Sequence, residues 1–240
     1  MLVTKKILYP FLIISLLLAS LFVFSKDTYA DSSFYDNFDD SNADGWWFGY
    51  SHAIPSIFGN WRVDDGTLVQ DTGYDGVLAL VEDKDFYTQV VGTNIKLNGP
   101  SGGGGIVLWY QNDDNLVFVM VYPAANFIEV SESYNNNWNI YHYYDVSLSN
   151  YTWYDLKVDA NSVNGILKVY LNDDYLFTYN VVSENRFGQF GVFNGNAGGY
   201  FDNFRIGKSV KVHCNKEGWI TNFIYDFKNQ GECLKFVSLY

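Results

Sequence analysis

The sequence predicts an all-β protein made of two packed antiparallel sheets. Apolar and polar residues alternate with period two in several segments, which is typical of half-buried strands. Turn-forming residues recur about every 8 to 12 residues, a spacing that favours a sandwich over a parallel α/β sheet. The composition agrees, since 20 Tyr, 19 Phe and 7 Trp stand beside only 4 Pro and 2 Met, and aromatic residues favour strands.

The first thirty residues differ from the rest of the chain. Lys5 and Lys6 precede an apolar run over residues 7–24, and Thr28-Tyr29-Ala30 offers small residues at both cleavage positions. This layout predicts a secretory signal over residues 1–30, and therefore an extracellular or cell-surface protein with no membrane span after cleavage. The alternative is an uncleaved anchor, because an apolar run of about 18 residues is near the shortest that spans a bilayer.

The chain is strongly acidic, with 15 basic and 27 acidic residues and a formal charge of −12. A negative surface repels the phosphate backbone, so the sequence argues against nucleic acid as a partner. It suits cations with oxygen ligands, although plain solubility is the preferred explanation.

Strand candidates follow one another through the middle of the chain. Residues 105–110, 116–122 and 127–132 form apolar runs separated by turns, and the first two are apolar enough to be covered on both faces. Gly102 to Gly105 are expected to form a mobile loop, not a phosphate cradle, because no lysine or helix start follows. Residues 153–159, 167–171 and 175–181 are predicted to be hairpins in series.

Four segments in a fixed order carry a family resemblance. Residues 59–68, 105–110, 153–158 and 199–206 together resemble a concanavalin A-like, laminin-G-type jelly roll, as found in lectins and glucanases. The resemblance covers residues 34–206, and we assign the domain to residues 31–208. It implies two packed sheets, one concave, with the first strand near residues 34–38 beside the last near residues 200–206.

The two cysteines fall in the last thirty residues, which we assign to a C-terminal appendage over residues 209–240. In an exported chain Cys214 and Cys233 are expected to form a disulfide, which would stabilise the fold by roughly 3 kcal/mol. A metal pair is the alternative, but His213 is the only neighbouring ligand type. The segment resembles a short motif at the ends of many exported bacterial proteins.

No catalytic signature is present. Glucanases of the resembling family carry Glu-x-Asp-x-x-Glu on one strand, and this string is absent. Glu129 and Glu132 are three residues apart, so a regular strand directs them to opposite faces. Asp83 and Asp85 have glycosidase-like spacing, but a charged run of this kind is expected to be a solvated turn.

Calcium is a predicted structural cofactor, since jelly rolls of this kind often hold an ion where the first and last strands meet. Asp36 and Asp202 lie in matching Asp-Asn-Phe contexts there. Backbone carbonyls and water would complete the six to eight oxygens that calcium prefers. The alternative is that both carboxylates only form local hydrogen bonds.

The candidate ligand contacts are Trp138, Tyr141 and Tyr143, which lie among asparagines, together with Trp109 on a central strand. Sugars pack their C–H face on aromatic rings and hydrogen-bond to amides and carboxylates. Alternation directs Tyr141 and Tyr143 to one face and Tyr144 to the other.

Other aromatic residues are expected to be core. Trp61, Trp153 and Phe204 belong to this group, and at most one of Trp46 and Trp47 can be fully inward because the two are adjacent. One of Trp109 and Tyr110 must also face the core if their strand is half-buried.

Three functions remain open. The first is a non-catalytic module that binds polysaccharide by aromatic stacking. The second is a glycoside hydrolase on the same fold, and the third is a surface adhesin or structural domain.

Overall fold

In the computed structural model, residues 33–50, 60–71, 76–87, 89–99, 102–135, 137–184, 186–196 and 198–207 are described. The predicted signal over residues 1–30 and the tail with Cys214 and Cys233 lie outside these ranges. Within them the chain forms fifteen strands and no helix, so no described helix could cross a membrane. The prediction of an all-β protein is confirmed.

The strands are β1 (Phe34–Asp36), β2 (Trp46–Tyr50), β3 (Trp61–Asp64), β4 (Thr67–Gln70), β5 (Val77–Val81), β6 (Gln89–Leu97), β7 (Gly103–Asn112), β8 (Asn115–Tyr122), β9 (Phe127–Tyr134), β10 (Asn137–Asp145), β11 (Tyr154–Asn161), β12 (Ile166–Leu171), β13 (Asp174–Asn180), β14 (Gln189–Gly195) and β15 (Gly199–Gly207).

Two antiparallel sheets contain all fifteen strands. The seven-stranded sheet has the order β10-β9-β8-β7-β14-β5-β2, and the eight-stranded sheet has the order β13-β12-β11-β6-β15-β4-β3, with β1 also paired to β15. Phe34 lies opposite Ile206 and Asp36 opposite Phe204. The first strand therefore pairs with the last, as the resemblance implied.

The predicted hairpins are present as two meanders. Strands β7 to β10 are consecutive neighbours in one sheet, and β11 to β13 are consecutive neighbours in the other. The prediction of a mobile loop at Gly102 to Gly105 is wrong. Gly103, Gly104 and Gly105 begin β7 and are buried. Close packing explains this, since a Cβ at Gly104 would approach Leu97 Cδ2 to 3.0 Å.

The main core lies between the sheets and contains large fully buried rings, including Trp109, Phe190, Phe201 and Phe204. A second buried cluster lies on the other face of the seven-stranded sheet, around Phe118 and Phe193, whose ring centroids are 4.5 Å apart. Central strands β7 and β8 are thus covered on both faces, which confirms the prediction from their apolar runs.

The aromatic core predictions are confirmed only in part. Phe204 is fully buried, and Trp61 is half-buried but packs against the main core. Trp153 is 39% exposed, so its prediction as core is wrong. Tyr154, the first residue of β11, is buried, and alternation along the chain turns the preceding residue outward.

Candidate functional site

Alternation along the strands assembles an aromatic surface on the outer face of the seven-stranded sheet. We call it the aromatic face and define it by Trp47 on β2, Tyr110 on β7, Tyr122 on β8, Phe127 on β9 and Tyr143 on β10. Trp47 lies opposite Leu80, whose side chain belongs to the second cluster and not to the core between the sheets. Tyr110 and Tyr122 pack against the same cluster.

Three of these rings form a continuous row. The Tyr122 and Phe127 centroids are 4.7 Å apart, and Phe127 meets Tyr143 edge-on at 5.2 Å. Phe127 and Tyr122 are partly buried, whereas Tyr143 is 55% exposed. The row therefore runs from the sheet interior outward to an open ring on the edge strand β10.

Glycines make room for rings that lie flat on this face. A Cβ at Gly103 would fall within 2.5 Å of the Tyr122 ring, and one at Gly49 would fall within the Trp47 indole. Trp47 is 41% exposed, at the opposite edge of the sheet from Tyr143. Exposed rings thus stand at both edges of the aromatic face.

Strand β9 carries buried polar side chains on the same face as the aromatic row. Glu129 is 8% exposed and lies directly between Met120 and Tyr143 of the neighbouring strands. The Ser131 hydroxyl donates to the Glu129 carboxylate. Ser133 Oγ is buried and has no hydrogen-bond partner among the described residues. The Glu129 carboxylate therefore lies beside the exposed Tyr143 ring, and sugars bind to aromatic rings combined with polar groups.

The predicted ligand contacts differ in where the structure places them. Tyr143 lies exposed on the aromatic face, and Tyr144 stacks on Phe177 on the inner side, 4.9 Å between centroids, as alternation predicted. The backbone of Trp138 and Tyr141 belongs to β10, but their side chains lie outside the described part.

The prediction of Trp109 as a ligand contact is wrong. Its indole is fully buried in the core and donates through Nε1 to the Tyr87 carbonyl at 2.9 Å. It has no surface on which a sugar could stack. Its neighbour Tyr110 faces the other way, which matches the expectation that one of the two must be core.

Sequence reasoning missed Trp47, Tyr122, Phe127 and Glu129 as members of this face. A signal was present for Trp47, because its neighbour Trp46 is only 5% exposed and adjacent strand residues face opposite ways. For the others the sequence shows alternation but not which face of the sheet carries exposed rings at its edges.

The carboxylates separate as predicted. Glu132 lies on the inner side of β9 and is fully buried, so it cannot share a substrate with Glu129. Asp83 and Asp85 are exposed in the turn after β5. On the outer side, Asp145 lies opposite Phe127 while Tyr143 lies opposite Glu129. Asp145 and Glu129 are thus diagonal neighbours, about 7–8 Å apart by strand geometry.

The predicted calcium ligands lie near one another but do not form a complete site. Asp36 accepts from Phe38 N at 2.8 Å and from Trp46 Nε1 at 2.7 Å, so both its oxygens are engaged. Burial, together with the charges of Asp39 and Asp36, raises the pKa of Asp202. Among the described residues no group of three metal-ligating side chains is present. Calcium there would depend on Asp202, carbonyls and water, and stays a prediction.

Several solved structures share this fold at low sequence identity. A carbohydrate-binding module from Bacillus subtilis has a TM-score of 0.56 and 17% identity, covering 67% of this chain and 93% of that chain. A β-glucanase from Bacillus licheniformis has a TM-score of 0.58 and 12% identity over 75% and 99%. A laminarinase from Flavobacterium sp. UMI-01 has a TM-score of 0.54 and 12% identity over 73% and 99%.

No protein-family model and no curated protein matches the chain. At these identities the structural likeness concerns the fold, and it confirms the resemblance to the concanavalin A-like jelly roll. Whether such a fold binds or cleaves its ligand depends on the residues of its site.

Proposed function

We propose that the protein is an exported glycan-binding module that holds a polysaccharide on the aromatic face. The observation that carries this proposal is the row Tyr122, Phe127 and Tyr143 beside the buried Glu129 and Ser131. The export half of the proposal rests on the signal-like residues 1–30.

The physical case is one of complementary surfaces. A pyranose C–H face gains by leaving water against an aromatic ring, and Tyr143 offers more than half of its surface for this. Sugar hydroxyls need hydrogen-bond partners, and the Glu129 carboxylate, 8% exposed and directly opposite Tyr143, supplies an acceptor beside the row. Because these groups stand on strands, the site is already ordered before binding, which lowers the entropic cost.

A glycoside hydrolase is the second candidate, and the diagonal placement of Glu129 and Asp145 favours it. The two residues are diagonal neighbours on one face of the sheet, so their side chains can reach the same sugar, and inverting enzymes place two carboxyl groups about 6.5–9.5 Å apart around it. Glu129 is buried beside Tyr143, while Asp145 is exposed and can contact a water molecule from solvent.

One experiment separates the two candidates. The mature protein is incubated with soluble β-glucan, xylan, mannan and levan, and both retention by affinity electrophoresis and release of reducing ends are measured. Retention without new reducing ends supports a binding module. Release that Glu129→Gln and Asp145→Asn each abolish would support a hydrolase, and neither retention nor release would overturn both.

A further inference from the structure

The outer face of the eight-stranded sheet carries a second arrangement of aromatic rings, this time around a cation. The Lys96 ammonium lies 4.8 Å from the Trp153 ring centroid and 4.3 Å from that of Tyr200. Tyr200 lies directly opposite Lys96 across β15 and β6. Cation–π attraction from two sides fixes the ammonium between the rings.

Strand register extends this arrangement into a row. Val69 lies opposite both Tyr200 and Arg62, so Arg62, Val69, Tyr200 and Lys96 cross four neighbouring strands in line. Trp153 stands at the end of this row, because the next residue, Tyr154, pairs with Ile95 of β6.

Trp153 is held in place although it is exposed. Tyr151 N donates to the Leu97 carbonyl at 2.9 Å, which fastens the preceding loop to the end of β6. The indole keeps 39% of its surface open to solvent. An exposed ring on a fixed backbone is a suitable platform for stacking.

Lys96 differs from the other cations of this sheet in its surroundings. Arg62, Lys157 and Arg205 form ion pairs with Asp71, Asp173 and Asp155 respectively, and Lys168 on β12 is exposed. Lys96 is half-buried and forms no ion pair with any described residue, and its contacts there are the two rings. A chain of charge −12 thus keeps one ammonium, flanked by aromatic rings, available to an anion.

We propose that Trp153, Lys96 and Tyr200 form a second glycan site, selective for an acidic sugar residue. The sugar ring stacks on the Trp153 indole, and its carboxylate or sulfate accepts a charge-assisted hydrogen bond from Lys96 Nζ. The site lies on the sheet opposite to the aromatic face and does not depend on the function proposed there. Since the net charge of the protein repels polyanions, any preference for an acidic chain must come from a local cation.

Isothermal titration at 0.15 M salt tests this with three matched probes: an oligogalacturonate, its carboxyl-reduced form, and a sulfated preparation of the reduced form. The wild type is expected to bind one or both acidic probes and to bind the reduced form about tenfold more weakly. Which acidic probe binds identifies carboxylate or sulfate as the anion.

Variants assign the binding to this site. Lys96→Met keeps the aliphatic stem and loses the charge, and Trp153→Ala loses the platform, so each is expected to weaken binding of the acidic probe about tenfold. Lys96→Arg should retain binding, and Tyr143→Ala on the other sheet should leave it unchanged. Equal binding of acidic and reduced probes, no binding of any probe, or full binding by Lys96→Met would overturn the proposal.

Discussion

The Tyr179 hydroxyl donates a 2.7 Å hydrogen bond to the fully buried carboxylate of Glu132, and so joins β13 of one sheet to β9 of the other. The same carboxylate accepts from Val182 N at 2.9 Å and from Ser183 N at 2.8 Å. Burial, reinforced by the hydrogen bond and charge of Glu132, raises the pKa of Tyr179. Glu132 forms no ion pair with any residue in the described ranges, and its buried carboxylate is tolerated because three donors surround it.

Replacing Glu132 with alanine is expected to be severely destabilising. The change leaves a phenol and two backbone amides without their acceptor in a buried region, which costs at least about 3 kcal/mol in the free energy of unfolding. Urea unfolding followed by fluorescence measures this loss. Tyr179→Phe removes one donor and spares the two amides, so it should cost only about 1–2 kcal/mol. An E132A protein as stable as Y179F would contradict the three-donor account.

Glycine at position 105 is required by the backbone of the neighbouring strand. A Cβ there would lie 2.0 Å from the Val119 carbonyl oxygen, and neither strand can move because both are buried. Gly105→Ala is expected to lower the free energy of unfolding by at least about 2 kcal/mol. Gly207→Ala is the matched control, since a Cβ there meets nothing within 4 Å. Equal stability of the two variants would show that β7 and β8 pack less closely than described.

The stability of the protein should depend on pH through Asp202. Burial is the largest cause that raises its pKa above the ordinary value, so protonation favours the folded state. The stability that this protonation contributes is fully present below the pKa of an aspartate in the unfolded chain, about 3.9. It is lost as pH rises through the higher pKa of Asp202 in the folded protein.

Asp202→Asn removes this charge and keeps an oxygen to accept from Asn203 N, a bond of 2.6 Å in the native protein. The variant should therefore be more stable than the wild type at pH 7 in EDTA, by a margin that shrinks at pH 4. Urea unfolding at the two pH values measures the margin. A margin that is absent at pH 7, or that grows on acidification, would contradict the assignment.

If calcium binds at Asp36 and Asp202, it should stabilise the folded protein. Millimolar calcium should raise the melting temperature of the wild type relative to EDTA, because a ligand that binds only the folded state stabilises it. Asp202→Asn should remove most of the rise. If both proteins melt at the same temperature with calcium as with EDTA, the carboxylates serve only local hydrogen bonds.

How much could be predicted from the sequence differs between fold and site. Alternation in residues 153–159 and the apolar runs of β7 to β9 were enough to place strands, because periodicity is local. The pairing of β1 with β15 came from the family resemblance, since a contact between residues so far apart has no local signal.

The site was harder because exposure depends on the whole sheet. Trp109 and Tyr143 both lie on strands with aromatic neighbours, yet one is fully buried and the other is 55% exposed. Trp109 has a positive φ of 52°, next to an irregularity in the pairing of β7 with β8. Such an irregularity shifts which residues face the core, and simple alternation cannot anticipate it.

The most direct test of the proposed function is the affinity of Tyr143→Ala for whichever polysaccharide the wild type binds best. Tyr175→Ala is the control, because Tyr175 is equally exposed at 55% but lies on β13 of the other sheet. The account predicts a dissociation constant about tenfold larger for Tyr143→Ala and an unchanged dissociation constant for Tyr175→Ala. Wild-type affinity in Tyr143→Ala would contradict binding on the aromatic face.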